Sequence, residues 1–512
     1  MKSSMAIVLF AATMFAAETP VALYPGLGIW KHPIATRDAV AQKFFDQGLV
    51  LLYGFNRPEA LRSFRKALEL DPQAAMARWG VAMATGPYIN MDGDPTVDMK
   101  MSCEAASPGG NPADRVWLEA AASRCPDFSD PSKYIAAMRA LAARFPDDPD
   151  AQTFFAESLM LPVRWHWYSP AGKPAAGVEE AERVLEGVLR RFPDHPGANH
   201  LYIHVVESSP TPARGIPSAQ RLMGIVPAAG HMVHMPGHIW LATGEYQFAV
   251  DVNERAAAAD REYFAQTGMT GAYYMYYLHN LDFIVYARTM QGRVAETNRA
   301  LAQMEEAAGA MPEMAEVFGV VTMMSRLRVQ QWDQSIGAPR PKTESPVTLA
   351  FWHYSRAIAM TAKARLKEAA AERTEFEALR AKVDRNMDFG NNKLGGVIDL
   401  ASTVLEARLE SNPGKWRKAV EMQDALVYDE PPPWYYPVRE SLGAALLQSG
   451  DAAAAENVFR EGLKRSPHNG RMLFGLLESL KAQNKSDAAA WVEREFQTAW
   501  KGSELNLRIG DL

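Results

Sequence analysis

The chain has 512 residues, of which 48% are hydrophobic and 22% are charged, and its formal net charge is −6. This composition is that of a globular protein, large enough for several domains or for one elongated repeat array. The basic residues form no cluster, which argues against nucleic acid as a partner, and no internal stretch reaches the roughly 18 apolar residues that a membrane span needs.

The first residues differ from the rest. Met1-Lys2 is followed by an apolar run from Met5 to Ala17 and then by polar residues. This order is typical of a secretory signal, so residues 1–17 are predicted to be a signal peptide and the location periplasmic or secreted. An uncleaved anchor or a buried N-terminal helix is the alternative.

Cys103 and Cys125 are the only two cysteines. In an oxidising compartment they could form one disulfide, while two reduced structural cysteines are an equal alternative.

The first clear repeat spans residues 41–74. A tetratricopeptide repeat (TPR) has large and small residues alternating at fixed positions of two helices and a proline near its end. Small residues let antiparallel helices approach, large ones fill the space between them, and proline ends the second helix. The matching residues are Phe44, Gly48, Leu51, Ala60, Phe64, Ala67 and Pro72.

Further repeats follow in register. Pro193 and Pro227 are 34 residues apart, which is one repeat length, and residues 436–469 form another clear repeat. We therefore predict an all-α fold, a right-handed TPR-like α-solenoid. Its N-terminal array would span 18–336 and carry a histidine cluster, and its C-terminal array with capping helices would span 347–512.

The histidine cluster lies between His200 and His238. The pairs His200/His204 and His234/His238 are each spaced by four residues, and the second pair follows the first by one repeat length. Residues at i and i+4 share a helix face, and neighbouring helices pack roughly 8–10 Å apart. The four imidazoles are therefore predicted to converge, and His231 is a weaker fifth candidate.

Converging neutral imidazoles favour a transition metal ion, and copper or zinc is the predicted cofactor. Met232 and Met235 slightly favour copper, although methionine at such spacing usually packs in a core. Neither histidine pair has the His-Glu-x-x-His pattern of zinc proteases. If catalysis occurs, Glu207 is the nearest acid or base candidate, and Glu157 is a second.

Two features bear on this geometry. Pro236 falls inside the helix expected to carry His234 and His238, so the helix either begins near Pro236 or bends there. If it begins there, His231 and His234 would lie in the preceding loop. His279 and Asp282 could extend the same inner surface.

The remaining histidines are read as surface or structural residues: His32, His166, His195, His353 and His468. Three aromatic clusters could pack between helices or form a binding wall. They lie at Trp165–Tyr168, Tyr273–Tyr277 and Trp434–Tyr436.

The chain resembles a family of bacterial, often exported, TPR-repeat proteins over most of its length. The family has no settled activity, so the resemblance implies the fold and leaves the function open. It is carried by Glu59-Ala60, Ser63-Phe64, Ala75-Met76-Ala77-Arg78-Trp79-Gly80, His234-Met235-Pro236-Gly237-His238, residues 434–443 and Leu473-Phe474-Gly475-Leu476.

Three functions compete. The first is a metal-binding protein of the cell envelope, which could be a metalloenzyme. The second is a non-catalytic scaffold that holds a peptide or protein, or a small molecule, in its concave groove. The third is a metal-free enzyme that uses Glu and His as acid and base.

Overall fold

The computed structural model describes residues 20–90, 97–268, 271, 273–311, 314–410 and 412–512. Within them the fold is all-α and TPR-like, as predicted, and the only strands are the two-residue β1 (Asp388–Phe389) and β2 (Asn392–Lys393). The helices are α1 Ala39–Tyr53, α2 Arg57–Leu70, α3 Ala75–Thr85, α4 Met99–Ala105, α5 Pro112–Ala122, α6 Pro131–Arg144, α7 Pro149–Met160, α8 Val178–Arg191, α9 Pro196–Glu207, α10 Ile216–Ile225, α11 Gly230–His234, α12 Pro236–Ala242, α13 Tyr246–Thr267, α14 Tyr274–Met290, α15 Val294–Ala308, α16 Ala315–Arg328, α17 Trp332–Gly337, α18 Pro346–Ala362, α19 Leu366–Arg380, α20 Leu394–Glu410, α21 Pro413–Asp424, α22 Arg439–Gln448, α23 Ala452–Arg465, α24 Gly470–Ala482 and α25 Ser486–Ala499.

The first repeat shows how the helix pairs hold together. The side chain of Asp38 caps α1 and that of Asn56 caps α2, which satisfies backbone N–H groups at both starts. Phe64 of α2 is fully buried, and a Cβ placed on Gly48 or Gly80 would come within 2.7 or 2.4 Å of its ring. Glycine at these two positions therefore lets three successive helices close around one phenylalanine.

The last clear repeat is built in the same way. Phe459 of α23 is fully buried between Gly443 and Gly475, where a Cβ would come within 2.5 and 2.2 Å of its ring. The predicted capping pair is present as α24 and α25. The TPR register read from small and large residues is confirmed at both ends of the array.

The described residues form two hydrophobic cores, and the C-terminal end of the array contacts its middle. One core contains buried residues from Leu27 to Phe318 and the other from Val320 to Leu512, so the two cores meet within α16. The Tyr246 hydroxyl donates to the carbonyl of Pro467, and the Ser503 hydroxyl donates to the carbonyl of Gly292. This closure brings the loop between α21 and α22 against α9 and α12.

A disulfide joins Cys103 of α4 to Cys125, which follows α5. Of the two alternatives open from the sequence, the structure has the bonded one. None of the described helices is both long and apolar enough to cross a membrane. The signal peptide predicted at 1–17 lies outside the described residues.

Replacing both cysteines with serine is expected to lower the free energy of unfolding of the N-terminal core. The bridge closes a loop with a sequence separation of 22, and loop-closure entropy for that length amounts to about 3 kcal/mol. Chemical denaturation of the Cys103→Ser/Cys125→Ser variant measures the loss, and the reduced wild-type chain is the matched control. Equal stability of variant and oxidised wild type would contradict the expectation.

Candidate metal centre

Four helices bring six histidines together. α9 carries His200 and His204 one turn apart, and α14 carries His279. The other three lie on the short helices α11 and α12, at His231, His234 and His238. All five histidines predicted from the sequence are at most 2% exposed, and they lie in one buried cluster together with His279.

Pro236 divides the second histidine segment into two short helices. It has no N–H to donate to the preceding turn, so α11 ends at His234 and α12 begins at Pro236. Met235 between them keeps helical dihedral angles, with φ −50° and ψ −38°. His231 and His234 are therefore on a helix and not in a loop, and His238 still follows His234 on the same side.

The histidines form two adjacent groups of three. In each group, every residue offers a ring nitrogen within 4.8 Å of the others: His200, His204 and His231 in one, and His234, His238 and His279 in the other. The four imidazoles expected to share one hollow are thus divided between two groups. The groups adjoin, because the ring centroids of His204 and His238 are 5.6 Å apart.

The outer ring nitrogens are held by hydrogen-bond acceptors. His200 donates from Nδ1 to the carbonyl of Tyr53, and His204 donates from Nδ1 to Glu207 Oε1 at 3.0 Å. His234 donates from Nδ1 to Asn253 Oδ1 at 2.6 Å. The amide of Asn253 is fixed in this orientation, because its Nδ2 donates to the carbonyl of Ala249.

The hydrogen bonds at Nδ1 determine whether each Nε2 atom carries a proton or a free lone pair. A neutral histidine that donates from Nδ1 has a bare lone pair on Nε2. The Nε2 atoms of His234 and His238 are 2.7 Å apart, those of His200 and His231 are 3.2 Å apart, and Nε2 of His204 has no hydrogen-bond partner. Two bare lone pairs at such distances repel, so a proton or a metal ion must lie between the nitrogens of each close pair.

The protonation preferences follow from burial. Burial and neighbouring histidines lower the pKa of His200, His231 and His234 well below the usual value, and lower the pKa of His204 and His279 to about 3. Burial also disfavours a charge on His238, but Glu207 and Glu430 outweigh it and raise the pKa of His238 to about 10. Five of the six imidazoles are thus kept neutral, which is the form that binds metal, and His238 can bind a metal only by losing the proton on Nε2.

Two carboxylates complete the cluster. Glu207 contacts both groups, since its Oε1 accepts from His204 and its Oε2 pairs with Nδ1 of His238. Glu430 Oε1 lies 3.3 Å from the same His238 nitrogen. Glu430 is 192 positions from His238 along the chain and was not predicted as part of the site. Its only local signal is its place beside the Pro431–Pro433 run.

Glu157, the second acid or base candidate, belongs to a different environment. It lies in neither histidine group, and burial raises its pKa to about 7 while Arg57 and Arg124 lower it. It lines a separate small cavity with Arg57 and Phe154.

Aromatic rings cover the cluster. The ring of Phe55 has its centroid 4.5 Å from that of His200 and 5.2 Å from that of His231, and Trp165 lies 5.9 Å from His204. Both residues have left-handed backbone conformations, with φ 55° for Phe55 and 64° for Trp165. Large side chains rarely adopt this conformation, which costs about 1–3 kcal/mol. At Phe55 it closes the turn after α1, where the N–H of Asn56 donates to the carbonyl of Leu51.

The histidines read as structural lie elsewhere. His32 and His195 both hydrogen-bond to Asp150, which also accepts from Tyr53 and Trp30. His32 and Asp150 also form a third potential metal-binding group with Asp148. Because both oxygens of Asp150 already have partners, we interpret that group as a structural network.

Two cavities flank the cluster. One has a volume of about 870 Å³ and is lined by His279, Asp282 and Glu430. The other has a volume of about 580 Å³ and is lined by Glu207, His238 and Glu430. Asp282, which was considered with His279 as an extension of the inner surface, therefore lies on the wall of the larger cavity beside His279.

Comparisons with known proteins identify no family. No family model and no curated protein matches the chain. Among solved structures, the chain is similar to the human IFIT1 dimer with PPP-AAAA, at 13% identity over 90% of this chain and 91% of that one, with a TM-score of 0.33. The human IFIT1 dimer with m7Gppp-AAAA matches at 12% identity over 91% and 92%, with a TM-score of 0.35.

Proposed function

We propose that this TPR-like protein binds transition metal ions at the two adjacent groups of three histidines. The observation that carries the proposal is the orientation of the rings. Nδ1 of His200, His204 and His234 is occupied by an outer acceptor, so the Nε2 lone pairs are directed inward. Metal-binding histidines are typically oriented by such outer hydrogen bonds to carbonyl or carboxylate groups.

The spacing of the inner nitrogens in the group of His200, His204 and His231 supports the same proposal. In a tetrahedral site with metal–nitrogen bonds of about 2.0–2.1 Å, two ligand nitrogens are about 3.3 Å apart. The Nε2 atoms of His200 and His231 are 3.2 Å apart. Two three-histidine positions imply up to two ions per chain, each with room for one further ligand.

Copper and zinc remain the proposed ions. The donors are imidazole nitrogens with carboxylate oxygens nearby, and imidazole suits both metals. The two cysteines are joined to each other, so they supply no thiolate. A three-histidine site with one open position can polarise a substrate or activate a water molecule, so catalysis is compatible with this arrangement.

Glu207 is then a positioning residue. Both of its oxygens contact Nδ1 atoms of histidines, one on each group. A carboxylate engaged in this way orients its imidazoles and raises their basicity. This role differs from the general acid or base considered from the sequence.

The buried position of the histidines favours metal over peptide binding at this cluster. His200, His204, His231, His234 and His238 are at most 2% exposed. A peptide lying in the groove would therefore not reach these imidazoles. A metal ion is small enough to be enclosed by them.

Elemental analysis of purified protein tests the proposal. We expect up to two equivalents of copper or zinc in the wild type, about one in His200→Ala/His204→Ala, and about one in His234→Ala/His279→Ala. His353→Ala, which changes a histidine that pairs with Glu372 and belongs to neither histidine group, should retain the wild-type content. Wild-type protein that takes up no stoichiometric metal after incubation with either ion would refute the proposal.

An exported location is part of the proposal. The disulfide between Cys103 and Cys125 supports it, because such bonds persist in oxidising compartments. Cell fractionation of the full chain, followed by N-terminal sequencing, tests both export and cleavage near Ala17.

A further inference from the structure

The larger cavity, of about 870 Å³, is lined by aromatic rings together with acidic side chains. Much of its surface is aromatic, including Tyr88, Tyr276, Tyr286 and Trp434. Its volume is within the range of about 300–1,000 Å³ that is typical of small-molecule sites. The shape and lining therefore suit a small organic molecule with an apolar body.

Apart from His279 and the tyrosines, the ionisable side chains on the described walls are all acids. Among the described lining residues there are three acids, Asp282, Asp429 and Glu430, and neither lysine nor arginine. Glu430 is turned to His238, and Asp429 accepts from the backbone N–H and the amide of Asn391. Asp282 has no hydrogen bond or ion pair with any described residue.

Asp282 is thus an uncompensated acid on an aromatic wall. Burial alone raises its pKa to about 7, and burial together with Glu430 raises the pKa of Asp429 to about 8. Asp282 is half-buried, and an ionised carboxylate without a partner in such a position is costly. A bound cation would supply the missing positive charge. Aromatic faces add to this preference, because their negative centres attract cations.

We propose that this cavity binds an organic cation with an apolar or aromatic body, such as an amine or a quaternary ammonium compound. The ammonium group lies near Asp282, and the apolar body packs against the tyrosine and tryptophan rings. Anionic molecules are disfavoured, since no described wall residue offers a positive side chain. The cavity also borders His279, so the bound molecule lies beside the second histidine group.

The test uses the metal-free full chain and benzyltrimethylammonium as the probe, followed by calorimetry. This cation has no lone pair and cannot bind a metal, so its binding is independent of the proposed metal site. We expect saturable binding of one equivalent. Neopentylbenzene, the neutral isostere, and phenylacetate, an anion, should each bind at least roughly tenfold more weakly.

Two variants locate the binding site. Asp282→Asn is expected to weaken binding of the cation by roughly tenfold or more, because it removes the charge and keeps the shape. Asp251→Asn, at an exposed position of α13, is the matched control and should bind as the wild type does. Val321→Phe, which adds volume at the cavity wall, should block binding whatever the charge of the probe.

Each of these measurements either supports or overturns binding of an organic cation beside Asp282. Equal affinity for the cation and its neutral isostere would leave an apolar pocket only and overturn the charge preference. Unchanged cation binding in both Asp282→Asn and Val321→Phe would place the probe elsewhere and overturn the site. Circular dichroism of the variants separates lost binding from lost folding. Failure of metal uptake would not affect these results, so the two proposals can be refuted separately.

Discussion

Replacing Glu207 with glutamine is expected to weaken metal binding by about 10- to 100-fold, which is the usual effect of removing an outer partner of metal-binding histidines. Glu207 contacts Nδ1 of His204 with one oxygen and Nδ1 of His238 with the other. A glutamine has one oxygen and one NH₂ group, so one of the two imidazoles would face a donor. That ring must then turn or change tautomer, which withdraws its Nε2 from the metal.

The affinity of the Glu207→Gln variant is measured by competition with a chelator of known strength. Glu157→Gln is the matched control, because Glu157 is also a buried glutamate but belongs to neither histidine group. Its affinity should stay within about twofold of the wild type. Equal affinities for wild type and Glu207→Gln would show that Glu207 does not orient the ligands.

Saturation with metal is expected to slow amide exchange in α9 and α11 by about 1,000-fold when the free ion is at 1,000 times its dissociation constant. An ion that binds only the closed cluster stabilises it by about 4 kcal/mol at that concentration. The two helices carry four of the six histidines, so any opening that separates them must release the ion. Exchange through such an opening slows by the same factor.

Hydrogen exchange followed by mass spectrometry measures this effect helix by helix. The internal control is the pair of C-terminal helices α23 and α24, which contribute no histidine to either group. Its exchange should be unaffected by the metal. Uniform slowing across both regions would indicate binding elsewhere or a general effect of the ion.

The fold could be predicted because TPR packing is local. The positions of Gly48, Phe64 and Pro72 depend on contacts between consecutive helices, and the same holds for Gly443 and Phe459. The sizes of the side chains within one repeat are therefore enough to predict how its helices pack. The end of the second helix is also a local signal, because Pro72 lies two residues after the last residue of α2.

The site could be predicted only in part. The spacing of His200, His204, His234 and His238 predicts one common surface, because this spacing reflects the helix period and the repeat length. Their division into two groups depends on Pro236, which interrupts the second segment and splits it into α11 and α12. A regular TPR helix has no such interruption, so the repeat pattern alone does not predict the division into two groups.

The outer partners could not be predicted because they come from remote helices. Asn253 fixes His234 from α13, and the carbonyl of Tyr53 fixes His200 from the end of α1. Glu430 reaches His238 because the C-terminal repeat returns to the middle of the array, as in the contact of Tyr246 with Pro467. Long-range closure of this kind leaves no periodic pattern in the sequence.

Crystals of the full chain grown with copper or zinc, and measured at the absorption edge of the metal, test the account most directly. We predict anomalous peaks within the two histidine groups, with Nε2 atoms of His200, His204 and His231 about 2.0–2.1 Å from one ion. The second ion should lie among His234, His238 and His279. Anomalous density only at surface residues, or none at either group in fully loaded crystals, would contradict metal binding by the two histidine groups.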